Sequence, residues 1–164
     1  MESKGKVFRR LLKDEPYLFT GGIYSPLDAQ IAEQAGMKSI YLSGYSLAML
    51  NGWPDMGFLT MTEVTKAASM VASAVDLPII ADADDGYGNA LSTLRTVQEF
   101  VKTGVAGIHL GDQRFPKRSG HIAGKTIVSR EEARGKYRAA IAERDRLDRD
   151  FVIIARTDAY GAVG

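Results

Sequence analysis

Short apolar runs alternate with amphipathic segments along this chain, and glycine or proline separates most of them. The runs are four to six residues long and predict strands at 17–20, 39–42, 77–81, 105–110 and 151–155. The segments between them predict helices at 4–13, 25–36, 60–75, 89–103 and 129–147. Alternation of this kind, with almost wholly apolar strands, is typical of a parallel β/α architecture.

One predicted helix illustrates the signals at helix ends. Ser25 is a cap, Pro26 occupies the first turn, and Gly36 ends the helix. Its apolar face is predicted to comprise Leu27, Ile31 and Ala35.

Polar side chains cluster directly after the predicted strands. They are Ser43, Asp82, Asp84, Asp112, Arg156 and Asp158. In β/α barrels and in open α/β sheets, active sites are built at this end of the strands. Two long connections, 43–59 and 111–128, are predicted as loops at the same end, and loops that long are often functional. The architecture and the chemistry therefore indicate the same face.

The number of strands limits the choice of fold. A (β/α)8 barrel needs ~250 residues, and about 200 is near its lower limit. This chain has 164 residues and five predicted strands, which is enough for one domain over 1–164. It is either a small open α/β domain or the first five units of a β/α barrel. The second alternative leaves an exposed strand edge after the fifth strand.

Composition removes several classes of function. The 21 basic and 20 acidic residues nearly cancel, so we expect no nucleic-acid partner. The absence of cysteine excludes a disulfide framework, a thiolate metal site and a cysteine nucleophile. No segment approaches the ~20 apolar residues of a membrane span, and residues 1–10 do not look like a signal peptide. We therefore expect a cytoplasmic protein with no membrane contact.

The segment 81–88 contains the clearest candidate metal site. Asp82, Asp84 and Asp85 are three carboxylates within four residues at a strand end, and they repel one another unless a cation lies between them. Mg²⁺, which one or two carboxylates and several waters bind, would relieve that repulsion. The alternative from the residues alone is a solvated acidic turn.

Two further segments suit a polyanionic substrate. The segment 115–121 contains Lys117, Arg118, Ser119 and His121, which fits a di- or tricarboxylate but also fits a basic surface loop. Arg156 directly follows an apolar strand, where the burial of a charge costs free energy. It predicts a carboxylate clamp or a structural ion pair with Asp158.

Taken together, these segments resemble the isocitrate lyase/phosphoenolpyruvate mutase superfamily from about residue 19 to residue 158. The matching motifs are 22–29 (GIYSPLDA), 41–45 (YLSGY), 52–55 (GWPD), the acidic segment, 112–113 (DQ), 116–121 (PKRSGH), 124–125 (GK) and 154–158 (IARTD). The loop at 117–121 is most similar to that of isocitrate lyase or 2-methylisocitrate lyase. The resemblance implies the (β/α)8 TIM-barrel family, with about the first five β/α units in this chain.

The resemblance also implies roles for individual residues. Asp82 would be a direct ligand of Mg²⁺ (or Mn²⁺), and Asp55 and Asp84 would hold it through water. The implied substrate-binding residues are Ser43, Gly44, Tyr45, Asp82, Gly120, His121 and Arg156. The implied catalytic loop carries Lys117, Arg118, Ser119 and His121. Such lyases cleave a 2-hydroxy acid by a retro-aldol step and, at full length, form homo-oligomers (tetramers).

The sequence departs from this family at three points. Ser119 stands where the lyases have a cysteine that acts as acid and base, and a serine hydroxyl is a far weaker acid than a thiol. Gly111 stands where the family usually has a glutamate of the metal shell, and such partners are commonly worth 10–100-fold in affinity or activity. The family's later strands, with further substrate-binding residues, lie beyond Gly164.

We therefore predict an isocitrate lyase-like enzyme that cleaves isocitrate to glyoxylate and succinate with Mg²⁺, with little or no activity in this chain as it stands. One alternative is another superfamily branch, such as a 2-methylisocitrate lyase or an oxo-acid hydrolase or decarboxylase. Another is a non-catalytic paralogue that binds a dicarboxylate.

Overall fold

A computed structural model describes residues 2–164 and contains one parallel sheet. Its strands, in chain order, are β1 (Gly21–Ile23), β2 (Ile40–Leu42), β3 (Ile79–Asp82), β4 (Gly107–Gly111) and β5 (Val152–Arg156). Each strand pairs in parallel with the next one along the chain, so the spatial order is β1-β2-β3-β4-β5. Five sequential parallel units confirm the predicted α/β fold.

The helices are α1 (Lys4–Asp14), α2 (Pro26–Gln34), α3 (Gly44–Leu50), α4 (Met61–Ala72), α5 (Ala90–Lys102), α6 (Arg130–Leu147) and α7 (Ala159–Val163). Side-chain caps begin most of them. Thr60 and Glu63 form a reciprocal capping box at α4, and the Ser129 hydroxyl accepts a hydrogen bond from the Glu132 amide at α6. The predicted starts of α2, α4, α5 and α6 are therefore confirmed.

The core lies between the middle of the sheet and the helices that cover it. Every residue of β3 and β4 is buried, and Phe100 of α5 is wholly enclosed. The outer strands differ, because β5 is buried only at its first residue and Ile154 is exposed. Strands covered on both faces are expected to be apolar throughout, which is why β3 and β4 were predictable.

The first strand lies later than the apolar run predicts. Tyr17 and Phe19 are exposed, and the strand forms at Gly21–Ile23, opposite β2. A Cβ at Gly21 would lie 2.5 Å from the Met37 methyl carbon, so glycine allows the strand to approach the end of the α2 unit. The predicted strand at 17–20 was therefore misplaced, because the two glycines that follow it belong to the strand.

Two other predictions need correction. The predicted loop 43–59 contains helix α3, which the Ser43 hydroxyl caps by accepting from the Ser46 amide at 3.2 Å. In α2 the predicted apolar face is exposed, since Leu27 and Ile31 face outward and Ala29 and Ala32 are buried. Short alanine side chains let this helix lie close to the sheet.

No helix within residues 2–164 combines the length and the apolar character needed to cross a bilayer.

Candidate active site

The strand ends and the 112–128 loop enclose a cavity of about 170 Å³. The predicted site residues that line it are Ser43, Tyr45, Asp55, Asp82, Asp84, Lys117, Arg118, Ser119, Gly120, His121 and Arg156. Gly44 lies behind this wall, where a Cβ would come within 2.8 Å of an Asp82 carboxylate oxygen. The structure therefore brings the predicted residues to one place, although their roles remain predictions.

The acidic turn is held in a specific backbone conformation. Asp84 is left-handed, with φ of 47°, a region that aspartate tolerates better than most residues. The Asp82 carboxylate accepts a hydrogen bond from the Asp84 amide at 3.0 Å, and the Gly111 amide donates to the Asp84 carbonyl at 2.7 Å. These contacts direct the turn so that the Asp82 and Asp84 side chains both line the cavity.

Lys117 is the cation that meets two of the acids. Its ammonium contacts the carboxylates of Asp55 and of Asp84, the latter at 2.8 Å. Burial, and then the charge of Asp82, raise the pKa of Asp84 to about 6 against the lowering effect of Lys117. Burial opposes the charged form of Lys117, but the neighbouring carboxylates raise its pKa above the ordinary value. The loop is thereby tied to the acidic turn.

A second charged group lies at the end of β5. The Arg156 guanidinium pairs with Asp158 at 3.1 Å, and Asp158 also accepts from the Gln113 amide at 3.1 Å. Asp112 fixes this segment by accepting from the Thr157 hydroxyl at 2.6 Å and from the Asp158 amide at 2.9 Å. Arg156 therefore forms the predicted ion pair with Asp158 and also lines the cavity, and its role as a carboxylate clamp stays a prediction.

Gln113 holds the start of the catalytic-loop motif. Its side-chain carbonyl accepts from the Arg118 amide, and its side-chain amide donates to the Arg118 carbonyl, both at 2.9 Å. Farther along the loop, Lys125 donates to the Gly120 carbonyl at 2.6 Å. These bonds present 118–121 to the cavity.

The two unusual positions also line this site. Gly111 forms part of the wall, and a Cβ there would lie 3.1 Å from the Asp84 carbonyl oxygen, which is a tight contact. A glutamate would require that backbone to shift by a few tenths of an ångström. Ser119 reaches the cavity from the loop. At position 111 the cavity wall is therefore shaped around a glycine. At position 119 a serine hydroxyl stands where the resemblance implies a cysteine thiol.

The donor set fits a magnesium ion that keeps most of its water. Within residues 2–164, no three His, Cys, Asp or Glu side chains converge closely enough to form a metal cage. Mg²⁺ is commonly held by only one or two carboxylates with water completing its shell. Burial first, and then the charge of Asp82, raise the pKa of Asp84, and a divalent cation beside these two carboxylates would favour their charged forms.

Sequence reasoning missed two side chains of the cavity wall, Tyr41 and His109. His109 lines the cavity from β4, and its Nδ1 lies 2.7 Å from the Tyr41 hydroxyl. A polar residue inside an apolar strand was the available signal. Which way it faces depends on sheet register, here Asp82 opposite His109, and the sequence does not specify that register.

Comparison with known proteins places this fold and cavity in a class of enzymes. Residues 8–163 match the phosphoenolpyruvate phosphomutase family, and the chain belongs to that family, the phosphoenolpyruvate mutase/isocitrate lyase superfamily. The predicted family is therefore confirmed.

Several individual members of this superfamily are similar to the chain. The chain is 45% identical to an isocitrate lyase of Haloferax volcanii, covering 97% of this chain and 46% of that protein. It is 43% identical to a 2,3-dimethylmalate lyase of Eubacterium barkeri, covering 95% and 54%. It also resembles a phosphonopyruvate hydrolase solved with oxalate and Mg²⁺, with a TM-score of 0.85, 38% identity and coverage of 96% and 53%. The chain spans about half the length of the curated relatives it matches.

Proposed function

We propose that this chain carries the metal-binding and carboxylate-binding part of an isocitrate lyase-like active site. The observation that supports this most directly is that a carboxylate turn, a clamp arginine and the 117–121 loop line one cavity. The substrate class is a 2-hydroxy di- or tricarboxylate, with isocitrate as the first candidate. Mg²⁺ would be held by Asp82, with Asp84 and Asp55 acting through water.

The proposed reaction is a retro-aldol cleavage. A base takes the proton of the 2-hydroxyl group and a carbonyl forms at C2 as the C2–C3 bond breaks. The electron pair of that bond moves into an aci-carboxylate at C3, and an acid then gives C3 a proton. A bound divalent ion would stabilise the negative oxygen at C2. Arg156 would bind the carboxylate of the oxo-acid half, since a guanidinium matches a carboxylate in geometry and charge. Arg118 and His121 would offset the charge of the aci-carboxylate.

Ser119 limits the last step of this scheme. The proton that reaches the carbanion must come from a group that gives it up readily, and a serine hydroxyl is a much weaker acid than a cysteine thiol. We expect little or no glyoxylate release from isocitrate by this chain. Measurable release would contradict that expectation and would assign the acid to another group.

Binding is the property to test first. Calorimetry with Mg²⁺ and oxalate, a planar dicarboxylate that mimics the enolate-like half of the substrate, should show binding that Asp82→Asn abolishes. Asp76→Asn is the matched control, because the Asp76 side chain is 96% exposed and comes before β3, whereas Asp82 stands at the end of that strand. Equal binding by wild type and Asp82→Asn would refute the assignment of Asp82. Absence of binding by wild type would reject the proposed site in this chain.

Ser119 favours a second candidate, an oxo-acid hydrolase- or decarboxylase-type activity from a branch that does not use the cysteine. The similarity to a phosphonopyruvate hydrolase agrees with this candidate. A panel of oxaloacetate, 2-methylisocitrate, 2,3-dimethylmalate and isocitrate would separate the branches. Turnover of oxaloacetate alone would favour the second candidate over the lyase.

A further inference from the structure

A line of polar side chains crosses the interior of the sheet from β5 to β3. The Arg156 guanidinium lies 3.4 Å from Nε2 of His109, and Nδ1 of His109 lies 2.7 Å from the Tyr41 hydroxyl. The Asp82 carboxylate lies 3.6 Å from His109 Nδ1, and of the surrounding charges it has the largest effect on the Tyr41 phenol. Four strands each contribute one member, so the line depends on the sheet register and on nothing in the loops.

The donors and acceptors in this line can be satisfied in one arrangement. Arginine only donates, so Nε2 of His109 must accept, and the single proton of the neutral imidazole then belongs on Nδ1. That proton points to the Tyr41 oxygen, which leaves the phenolic hydrogen free to donate to Asp82. The opposite tautomer would place an N–H group against the guanidinium and would turn the Tyr41 oxygen lone pairs toward a carboxylate.

The surroundings favour a neutral ring. Burial lowers the pKa of His109, and the charge of Arg156 adds to this, against the effect of Asp82. Burial and then Asp82 raise the pKa of Tyr41 above its ordinary value, so the phenol keeps its hydrogen. The geometry requires the same state of His109, because a guanidinium only donates and a proton on Nε2 would point at it, so the ring carries its single proton on Nδ1.

We propose that Tyr41 and His109 are positioning residues that link Arg156 to Asp82 through an oriented chain of hydrogen bonds, with His109 held as its Nδ1–H tautomer. The guanidinium donates to His109, His109 donates to Tyr41, and Tyr41 donates to Asp82. The chain fixes one oxygen of Asp82 and one edge of Arg156 before any ligand arrives. The roles of Arg156 as a carboxylate clamp and of Asp82 as a metal ligand rest on the proposed function, whereas the tautomer of His109 does not.

The tautomer can be observed directly, because the chain contains only two histidines. Long-range ¹H–¹⁵N spectra of ¹⁵N-histidine-labelled protein, with chelator and at neutral pH, should show His109 with a protonated nitrogen at Nδ1 and a bare nitrogen at Nε2. His121→Gln identifies the His109 signals, and His121 itself is exposed. An Nε2–H tautomer for His109, or averaged signals from both forms, would overturn the proposal without any need for a variant of the hydrogen-bonded chain.

A pair of tyrosine variants tests whether Tyr41 sets that tautomer. Tyr41→Phe keeps the ring and removes the acceptor for Nδ1–H while the guanidinium still faces Nε2, so the single Nδ1–H form should give way to a mixture of both tautomers. Tyr137→Phe is the matched control: its hydroxyl donates to the Arg156 carbonyl at 2.8 Å but does not contact His109, and the tautomer should persist. An unchanged tautomer in folded Tyr41→Phe would show that Tyr41 does not orient the ring.

Calorimetry reports on Arg156 and Asp82, the two residues at the ends of this line of hydrogen bonds. In calorimetry with Mg²⁺ and oxalate, Tyr41→Phe should weaken binding by about tenfold, since loss of one oriented hydrogen bond is worth about 1.4 kcal/mol. Undiminished binding would refute the positioning role. If wild type shows the Nδ1–H tautomer but no binding of Mg²⁺ or oxalate, the proposed function fails while the hydrogen-bonded chain stands.

Discussion

Two groups of opposite charges lie on the same cavity but in different surroundings. The first, here called the lysine cluster, is Lys117 with Asp55 and Asp84, and each of the three side chains is 11% exposed or less. The second, the arginine pair, is Arg156 with Asp158, and the Arg156 side chain is 38% exposed. Burial decides what such contacts are worth, because water screens an exposed pair and leaves a buried charge costly to uncouple.

The comparison separates two roles. The lysine cluster joins three segments that are distant in the sequence, so it serves to hold the 112–128 loop against the acidic turn. The arginine pair leaves part of its guanidinium open to the cavity, where a ligand carboxylate can replace or join Asp158. Substitutions that weaken the lysine cluster should therefore affect folding, whereas substitutions that weaken the arginine pair should affect binding.

Removal of the cluster's cation should have the largest effect. Lys117→Met leaves the carboxylates of Asp55 and Asp84 buried without their partner, which we expect to lower the free energy of unfolding by about 3–5 kcal/mol at neutral pH. Urea denaturation measures this. Lys102→Met is the control, since the Lys102 side chain is 68% exposed in its pair with Glu99 and should cost less than about 0.5 kcal/mol. A loss below about 1 kcal/mol for Lys117→Met would mean that the loop opens and water solvates the two carboxylates. The lysine cluster would then not differ from the arginine pair in its effect on folding.

The lysine cluster also predicts a dependence on pH in the metal-free protein. The pKa of Asp84 is raised from 3.8 to about 6, so between these values the folded protein keeps a proton that the unfolded chain has lost. The folded state then binds more protons, and the contribution of Asp84 to stability falls as pH rises from about 4 to about 6, by about 2–3 kcal/mol. Urea denaturation across this range measures the loss.

Asp84→Asn isolates this contribution from the other carboxylates. The stability difference between wild type and Asp84→Asn should change across pH 4 to 6 and be constant above it. Asp76→Asn removes an exposed acid and controls for the loss of one carboxylate elsewhere on the protein. A wild-type curve parallel to that of Asp84→Asn would show that Asp84 titrates normally and that the cluster does not crowd it.

These two regions also show how far sequence reasoning reaches. Of the two acids in the cluster, Asp84 was predictable from the pattern, because it comes just after an apolar strand and strand ends carry the sites of β/α folds, whereas Asp55 was assigned only from the family resemblance. Their pairing with Lys117 was not, since it joins 55, 84 and 117 through the conformation of a loop. The sequence shows which charges are present and leaves open which of them meet.

Errors in the fold have the same origin. The strands β3 and β4 were found because they are buried on both faces and apolar throughout. The strand β1 was misplaced because two glycines look like a stop, although they allow close packing beside Met37. His109 was misjudged because a residue in a strand faces either the core or the cavity, and the choice depends on pairing with strands far along the chain.

An intermediate effect is expected at the residue that lies between the two regions. Gln113 bonds both backbone groups of Arg118 and also Asp158, so Gln113→Met removes these bonds at similar side-chain length. The local cost should be about 1–3 kcal/mol. Hydrogen exchange at the Arg118 amide should accelerate at least tenfold, with little change in amides of the central strands. Gln98→Met, which removes a bond to Glu143 on the far helices, should leave the Arg118 amide unchanged. Unaltered exchange at Arg118 in Gln113→Met would show that Gln113 does not hold this part of the loop.

The smallest effect on folding should come from the arginine pair, and it should be accompanied by a clear loss of binding. Arg156→Gln leaves Asp158 with the Gln113 amide at 3.1 Å and the Lys125 ammonium at 3.8 Å, so that carboxylate keeps partners and the free energy of unfolding should change by less than about 1 kcal/mol. Affinity for oxalate in the presence of Mg²⁺ should fall about tenfold to a hundredfold, because a charged hydrogen-bond donor to a carboxylate is worth about 1.5–3 kcal/mol. Arg156→Lys keeps the charge but loses the planar fork, and it should recover only part of that affinity. A variant that unfolds easily yet binds oxalate normally would reverse the assignment and make the arginine pair structural, like the lysine cluster.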